Sequence, residues 1–401
     1  MIHIMIRSKC MLLLLVTWSF YILCALFSQG DMLYADIKTE LLLICFLFSL
    51  ALGSILNEFI SSKNKKAKFY RVSPSGAIIL KWCIYTNALL SIVVLARYLV
   101  YRYIFDDVLT RAQLYSPIGA DGKYLSIIYV VCLYLKGITS VVLLFAFLKS
   151  LLEKDKKLIL VSMGIIMLDA VVFTAKGPII YIGFMCLLNL LLNLKQEPAL
   201  IKKFIFGCSF FVLAIWLIEL SRGNNIVDSF VRYFSIGPAL LASIVGGGLE
   251  AGYRAWIPSN IFLIFSGLDY LIAIFARGVT GLPIQSVGYD WIKYIDMPIA
   301  ISESAYKFFP SNTFYTLLSE PYLSFGWGGI VGLGLILGWL VTGLERSYLL
   351  NRCERSLFWL QYIVGIAFFG IFVSALSTVI FWLILGLMVF FSSYVFQKNS
   401  S

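Results

Sequence analysis

The chain has 401 residues, 61% hydrophobic and 16% aromatic, with 13% charged and a formal net charge of +11. Soluble domains carry about 25% charged residues, so an ordinary soluble globular fold is excluded. A single histidine, His3, removes histidine general bases and His-rich metal sites from any folded surface away from the start of the chain.

Apolar runs recur at 11–28, 41–60, 77–98, 124–148, 158–174, 178–194, 204–220, 323–344, 358–374 and 377–396. Each is long enough to cross a hydrocarbon layer about 30 Å thick as a helix. The last two form one apolar stretch too long for a single span, and a tight hairpin near Ser374, Ser377 and Thr378 divides it. The pattern predicts an all-α polytopic membrane protein with 10–12 transmembrane helices, the larger number applying if a pair is added within 233–276.

Lysine and arginine set the orientation. One alternating set of loops carries Arg7 and Lys9, then Lys63, Lys65, Lys66, Lys68 and Arg71, then Lys149, Lys154, Lys156 and Lys157. Lys195, Lys202, Lys203, Arg346, Arg352, Arg355 and Lys398 continue it. These loops share one side, so both termini are expected in the cytoplasm. The positive charge is then mainly a positive-inside signature, and no nucleic acid is expected as a partner. The basic start and first apolar run resemble a signal peptide, but without a small-x-small cleavage site they read as a retained first helix. The eight cysteines map to spans or cytoplasmic flanks, so no disulfide is expected.

Three parts follow: 1–220 with about seven transmembrane helices, 221–322 as a large periplasmic membrane-associated region, and 323–401 with about three more helices. Within the middle part, 233–249 and 261–276 are apolar but short or interrupted, which suits re-entrant or interfacial helices over a cavity.

A second population of cations lies on the outer side: Arg97, Arg102, Arg111, Arg222, Arg232, Arg254 and Arg277, with Lys38, Lys123, Lys136, Lys176, Lys293 and Lys307. Arginine suits bidentate recognition of phosphate or carboxylate. For Arg97, Arg102 and Arg277, snorkelling at helix ends explains the position equally well. Arg222 and Arg254, beside glycine and aromatic residues, fit a functional role better. Lys136, Asp169, Glu219 and Asp269 fall within apolar stretches, where a charge must face protein or an aqueous cavity. Asp169 precedes Lys176 by seven residues, two helical turns, so a continuous helix would place both on one face. A structural ion pair or a buried neutral acid explains these residues as well as a substrate role does.

Three segments then stand out in order: Thr174-Ala-Lys176-Gly177-Pro178; Ser221-Arg222-Gly223-Asn224 with Tyr233-Phe-Ser-Ile-Gly237-Pro238; and Asn312-Thr-Phe-Tyr-Thr316 leading into Glu320-Pro-Tyr322-Leu-Ser324-Phe325-Gly326-Trp327-Gly-Gly329. Together they resemble the Wzy-type oligosaccharide repeat-unit polymerases, the O-antigen polymerases of Gram-negative bacteria. The last segment is the best match, its family pattern reading approximately Asn-x-aromatic-Thr, then Tyr-x-Asp-Phe-Gly-x-x-Gly. Ser324 stands where that pattern often has Asp, and Glu320, one helical turn earlier, is the nearest replacement.

The resemblance implies a metal-independent, GT-C-like membrane glycosyltransferase without a cofactor. Its donor and acceptor would be undecaprenyl-diphosphate-linked oligosaccharides held in membrane lipid, the growing glycan moving to the non-reducing end of a new unit at the periplasmic face. Chain-length control would come from a separate regulator protein. The residue types suit those needs. Guanidinium groups stabilise a departing diphosphate, and with no outer histidine the acceptor hydroxyl needs an Asp or Glu base. Burial among apolar walls would tune such an acid for the task. Arg222 and Arg254 are the expected diphosphate ligands, with Lys176 as a third cation. Glu320 is the first candidate base, ahead of Glu250 and Asp290. Arg277 and Arg102 are candidates for the second lipid diphosphate, and Asn312 and Tyr322 belong to the motif. Tyr253, Trp256, Tyr289, Trp291 and Tyr294 could stack on sugars or sit in an interfacial belt.

Three rival functions remain, the least weighted a lipid-dependent sugar transferase using Asp31, Asp36 and Glu40 of the first outer loop, where such acids are usually just solvated. A lipid-linked oligosaccharide flippase or related transporter could also line a cavity with cations, but transporters more often show paired halves and short outer loops. An O-antigen ligase resembles the polymerase, but that family is associated with an outer-face histidine, and His3 is expected in the cytoplasm.

Overall fold

The computed structural model describes residues 7–26, 37–61, 70–104, 127–172, 176–193, 237, 241–242, 244–245, 261–280, 286–287, 299–300, 308–309, 316–370 and 379–398. Among them the protein is helical almost throughout. In chain order the helices are α1 (Lys9–Leu26), α2 (Ile37–Ser61), α3 (Pro74–Tyr103), α4 (Ile127–Glu153), α5 (Lys156–Val172) and α6 (Lys176–Asn193). A 3-10 segment (Ile261–Phe265) leads into α7 (Ser266–Thr280), followed by α8 (Ser319–Phe325), α9 (Trp327–Asn351), α10 (Glu354–Phe369) and α11 (Val379–Tyr394). Two short antiparallel pairs complete the described elements: β1 (Tyr70–Val72) with β4 (Phe396–Lys398), and β2 (Ile299–Ala300) with β3 (Phe308–Phe309).

Four described helices are long and apolar enough to cross a membrane, over Ile37–Ile60, Pro74–Tyr101, Val131–Glu153 and Trp327–Asn351. Their apolar side chains point outward as well as inward: Phe48 is 73% exposed and Trp82 67%, as expected where lipid is the solvent. The other expected spans in the described residues also form helices, but shorter ones. The α10 helix has 16 residues, about 24 Å at 1.5 Å per residue. The expected span 204–220 and the hairpin residues Ser374, Ser377 and Thr378 lie outside the described residues, although α10 ends at Phe369 and α11 starts at Val379. The expected span 323–344 is broken by Gly326 between α8 and α9.

The chain divides into two compact units, each assembled from separated stretches. The first comprises 1–67, 219–352 and 362–386. Its centre is the close packing of α2 on α9. A Cβ added to Gly338 would stand 2.1 Å from the Leu50 carbonyl oxygen, and one on Gly53 would stand 2.2 Å from that of Leu335. Only glycine permits backbones this near, the small-residue solution to helix association in lipid. Hydrogen bonds reinforce the seam: Thr342 Oγ1 donates to Ser54 Oγ at 2.7 Å, and Asn57 Nδ2 donates to the Trp339 carbonyl at 2.9 Å.

Helix α1 packs on α2 and α9. Its N-terminus is capped twice: Ser8 Oγ accepts from Met11 N at 3.1 Å, and the buried Glu345 carboxylate of α9 accepts from the amides of Lys9 and Cys10, both at 3.0 Å, and from the Ser8 hydroxyl. A carboxylate there satisfies helix-end donors and complements the positive end of the helix dipole. Further along, Trp18 Nε1 donates to the Ala367 carbonyl at 2.9 Å and Tyr21 OH to that of Phe368 at 3.0 Å. With Leu317 N donating to Gly370 O at 2.5 Å, these bonds serve the carbonyl end of α10, whose last carbonyls have no partner within the helix itself.

The second unit comprises 68–218, 353–361 and 387–401. In it α4 packs against α3, α5 and α6. Asp155 caps α5, its Oδ1 accepting from the amides of Lys157 and Leu158 at 3.1 Å. Lys149 bridges to Glu354 at 2.7 Å, and the same carboxylate accepts from Val72 N at 2.6 Å. This ties the last turn of α4, strand β1 and the first turn of α10. Phe396 of β4 packs with Phe145 and Phe358 in an aromatic cluster, Phe145 meeting both of the others edge-on.

Candidate functional site

Glu320 is fully buried, at the second residue of α8. Thr316 and Ser319, also fully buried, precede it. Ser319 N donates to the Thr316 carbonyl at 3.0 Å, and Leu318 N to Thr316 Oγ1 at 3.3 Å, which fixes the turn that delivers the acid into the helix. Two residues on, Tyr322 is half-buried and its carbonyl accepts from Gly326 N at 2.7 Å, closing the helix.

The glycines of the segment have separate geometric duties. Gly326 has φ +59° and ψ −138°, a backbone state essentially confined to glycine. A Cβ on Gly329 would lie 2.0 Å from the Pro321 carbonyl oxygen, so the first turn of α9 passes directly against the first turn of α8. Gly328 and Gly332 meet nothing within 4 Å. Thus Gly326 and Gly329 build a sharp elbow at the start of a membrane-length helix, with Glu320 on its short arm.

Ser324 also has a definite role. Its Oγ accepts from Ile264 N at 3.0 Å, linking α8 to the 3-10 segment. That segment packs against α8, and α7 leaves from it. On α7, Asp269 accepts from Ser286 Oγ at 2.6 Å. The first unit therefore brings together Glu320, Tyr322, Ser324 and the 3-10 entry to α7. Arg277 lies near the end of α7, but the surroundings of its side chain are outside the described set.

Other expected site residues are distributed as follows. Arg102 lies in the last turn of α3 and Lys176 is the first residue of α6, both in the second unit, with their side chains outside the described set. Arg222, Arg254, Glu250, Asp290 and Asn312 lie outside the described residues. The relation between Asp169 and Lys176 differs from the continuous-helix expectation, because α5 ends at Val172 and a new helix starts at Lys176.

Asp169 instead pairs with Lys136 of α4, Nζ to Oδ1 at 2.7 Å, with side-chain exposures of 7% and 13%. Ser91 of α3 joins them, donating to Asp169 Oδ1 at 2.6 Å and accepting from Lys136 Nζ at 2.7 Å. One turn along α3, Asn87 Nδ2 bonds Thr139 Oγ1 at 2.9 Å and Ser140 Oγ at 3.0 Å. Lys136, Asp169 and Ser91 satisfy one another within the bundle as a buried structural ion pair, while Asn87 Oδ1 is buried without a hydrogen-bond partner among the described residues.

Among the described residues no three His, Cys, Asp or Glu side chains are grouped closely enough to hold a metal ion. The seven described cysteines are free thiols.

What this fold and composition define is an all-α membrane protein. No protein-family model, curated protein or solved structure matches the chain.

Proposed function

We propose that the chain is a Wzy-type polymerase of undecaprenyl-diphosphate-linked O-antigen repeat units. In this reading it is a 10–12-helix, GT-C-like inner-membrane glycosyltransferase with both termini in the cytoplasm and the 221–322 region over the periplasmic face. The supporting observation is the elbow formed by Glu320, Tyr322, Ser324, Gly326 and Gly329. The motif residues that carry the resemblance are those that place an enclosed carboxylate beside a sharp turn at the start of a membrane-length helix.

The chemistry runs as a single displacement. Glu320 takes the proton from the acceptor sugar hydroxyl as that oxygen bonds the anomeric carbon of the growing glycan. The bond from that carbon to the donor lipid diphosphate breaks, and the diphosphate leaves with the electron pair. Arg222 and Arg254, with Lys176, neutralise the leaving charge. Arg277 and Arg102 hold the acceptor's diphosphate, Asn312 and Tyr322 orient sugar, and Glu250 and Asp290 are the alternative bases. Nothing in this scheme requires a cofactor, and a separate chain-length regulator would set when transfer stops.

The test is the lipopolysaccharide pattern of a deletion strain complemented with wild type, Glu320→Gln, Arg222→Ala or Arg254→Ala. Wild type should restore the ladder of O-antigen lengths. Each variant should reach the membrane at normal level yet give lipid A core bearing one repeat unit. A normal ladder from Glu320→Gln removes the base assignment. Repeat units trapped on the cytoplasmic leaflet of the deletion strain would identify a flippase instead.

A further inference from the structure

The end of the second unit that holds the C-terminal turns of α3 and the first turns of α4 contains a guanidinium whose outer nitrogens have no partner among the described residues. Both Nη atoms of Arg97 are buried and have no hydrogen-bond partner among the described residues. The group is held by ring faces: its Cζ lies 4.3 Å from the Tyr129 ring centroid and 5.6 Å from that of Tyr101. Such contacts position a cation and lower its cost. They leave unmet the donors of a group that carries five N–H bonds.

No nearby described carboxylate is available. Asp169 already binds Lys136 and Ser91. An apolar layer separates that network from Arg97, for Val94 packs against Leu133 and Leu168 as well as against Tyr98, Tyr101 and Tyr129. The other described acids of this unit are committed elsewhere. Glu153 and Glu354 pair with Lys149, and Asp155 caps α5. A buried charged donor left unmatched is among the more expensive arrangements in a protein, and more so where lipid excludes water.

We propose that Arg97 is the anchor of an anion-binding site for a phosphate-bearing headgroup, with Tyr129 and Tyr101 holding the guanidinium plane ready for it. A phosphate fits because two of its oxygens accept in parallel from the two Nη groups. It arrives on a lipid because this end of α3 lies at the limit of a membrane-length span, Pro74–Tyr101. The source is either a polyprenyl diphosphate or an anionic phospholipid of the surrounding membrane. The inference does not depend on the polymerase reading, since binding of the phospholipid alone would establish it.

The experiment uses the purified full chain in detergent and native mass spectrometry with three added lipids: undecaprenyl diphosphate, phosphatidylglycerol and undecaprenol, which lacks phosphate. Wild type should hold at least one of the two phosphate lipids about tenfold more tightly than undecaprenol. Arg97→Gln should lose that preference. Arg97→Lys, which keeps the charge without the fork, should fall between and covers the case in which Arg97→Gln does not fold. Preference for undecaprenyl diphosphate or for phosphatidylglycerol identifies the source. Equal binding of all three lipids by wild type, or unchanged preference in both variants, would overturn the site and mean that the guanidinium is neutralised within the chain. A failure here leaves the lipopolysaccharide test untouched, because that test does not involve Arg97.

Discussion

Two buried carboxylates in this protein face opposite circumstances, and each predicts a different mutational response. Glu345 takes two amides and a hydroxyl at the start of α1. Glu345→Ala leaves those donors enclosed, at a cost of about 1–3 kcal/mol each. A lowered midpoint in a detergent thermal melt is expected, with Glu345→Gln lowering it less because one acceptor oxygen survives. Asp169 belongs to an ion pair, and removing one partner of a buried pair costs roughly 3–5 kcal/mol. Lys136→Met and Asp169→Leu should each destabilise strongly, and the double variant should be more stable than either. Additive losses in that double-mutant cycle would mean the pair is not coupled. At this scale the sequence was partly legible. Lys136 and Asp169 stood out as charges inside apolar runs, but their pairing joins residues 33 apart on different helices. Helical spacing pointed Asp169 toward Lys176 instead. Glu345 gave no signal, because an acid near a cluster of arginines reads as a solvated cytoplasmic end.

At the scale of elements, the helices were legible where the apolar run was long, since 41–60 and 77–98 fall within α2 and α3, and 127–148 of the run 124–148 falls within α4. The break between α8 and α9 was not. Gly326, Trp327, Gly328 and Gly329 keep the hydropathy of a continuing span, while the departure lies in one backbone angle that composition does not encode. The same fact explains why the motif of the resemblance could be recognised without its geometry. Gly326→Ala should cost about 1–3 kcal/mol from its φ alone. On α9 the glycines separate into two classes. Gly338→Val drives a side chain into the Leu50 carbonyl and should lower the melting midpoint by several degrees or prevent assembly. Gly332→Ala enters open space and should leave it unchanged or slightly raised. Equal effects at the two sites would refute the α2–α9 seam.

Across the whole molecule, neither compact unit is a continuous stretch of chain. The second closes only when β4 pairs with β1 and Val395 O accepts from Ser73 N at 2.9 Å, at the cap of α3. A Cβ on Gly76 would stand 2.3 Å from that same oxygen, so the returning backbone seats against the first turn of α3. Arg71 is already exposed but its backbone is held by pairing with Gln397, so deleting 395–401 should free that backbone for trypsin and speed cleavage there, with proteolysis followed by gel and mass spectrometry. Unchanged cleavage would show that the pairing does not guard this segment. Phe396→Ala, which keeps the strand but empties its place beside Phe145 and Phe358, should cost about 3 kcal/mol. Such long-range closure is invisible to span counting, which treats each helix as a local event. The candidate site was legible only as a motif, because what encloses Glu320 comes from tertiary packing.

The bonds from Trp18 and Tyr21 to the end of α10 also set a timetable for synthesis. Trp18 and Ala367 are 349 residues apart, so at ~5–20 residues per second the indole waits about 17–70 s for its carbonyl. Until then the two polar side chains of α1 must find provisional partners, in neighbouring lipid headgroups or in the insertion machinery. A helix that emerges late, α10, therefore completes one that emerges early, and a nascent chain halted before residue 367 would carry α1 as an unfinished surface for quality-control proteases to read.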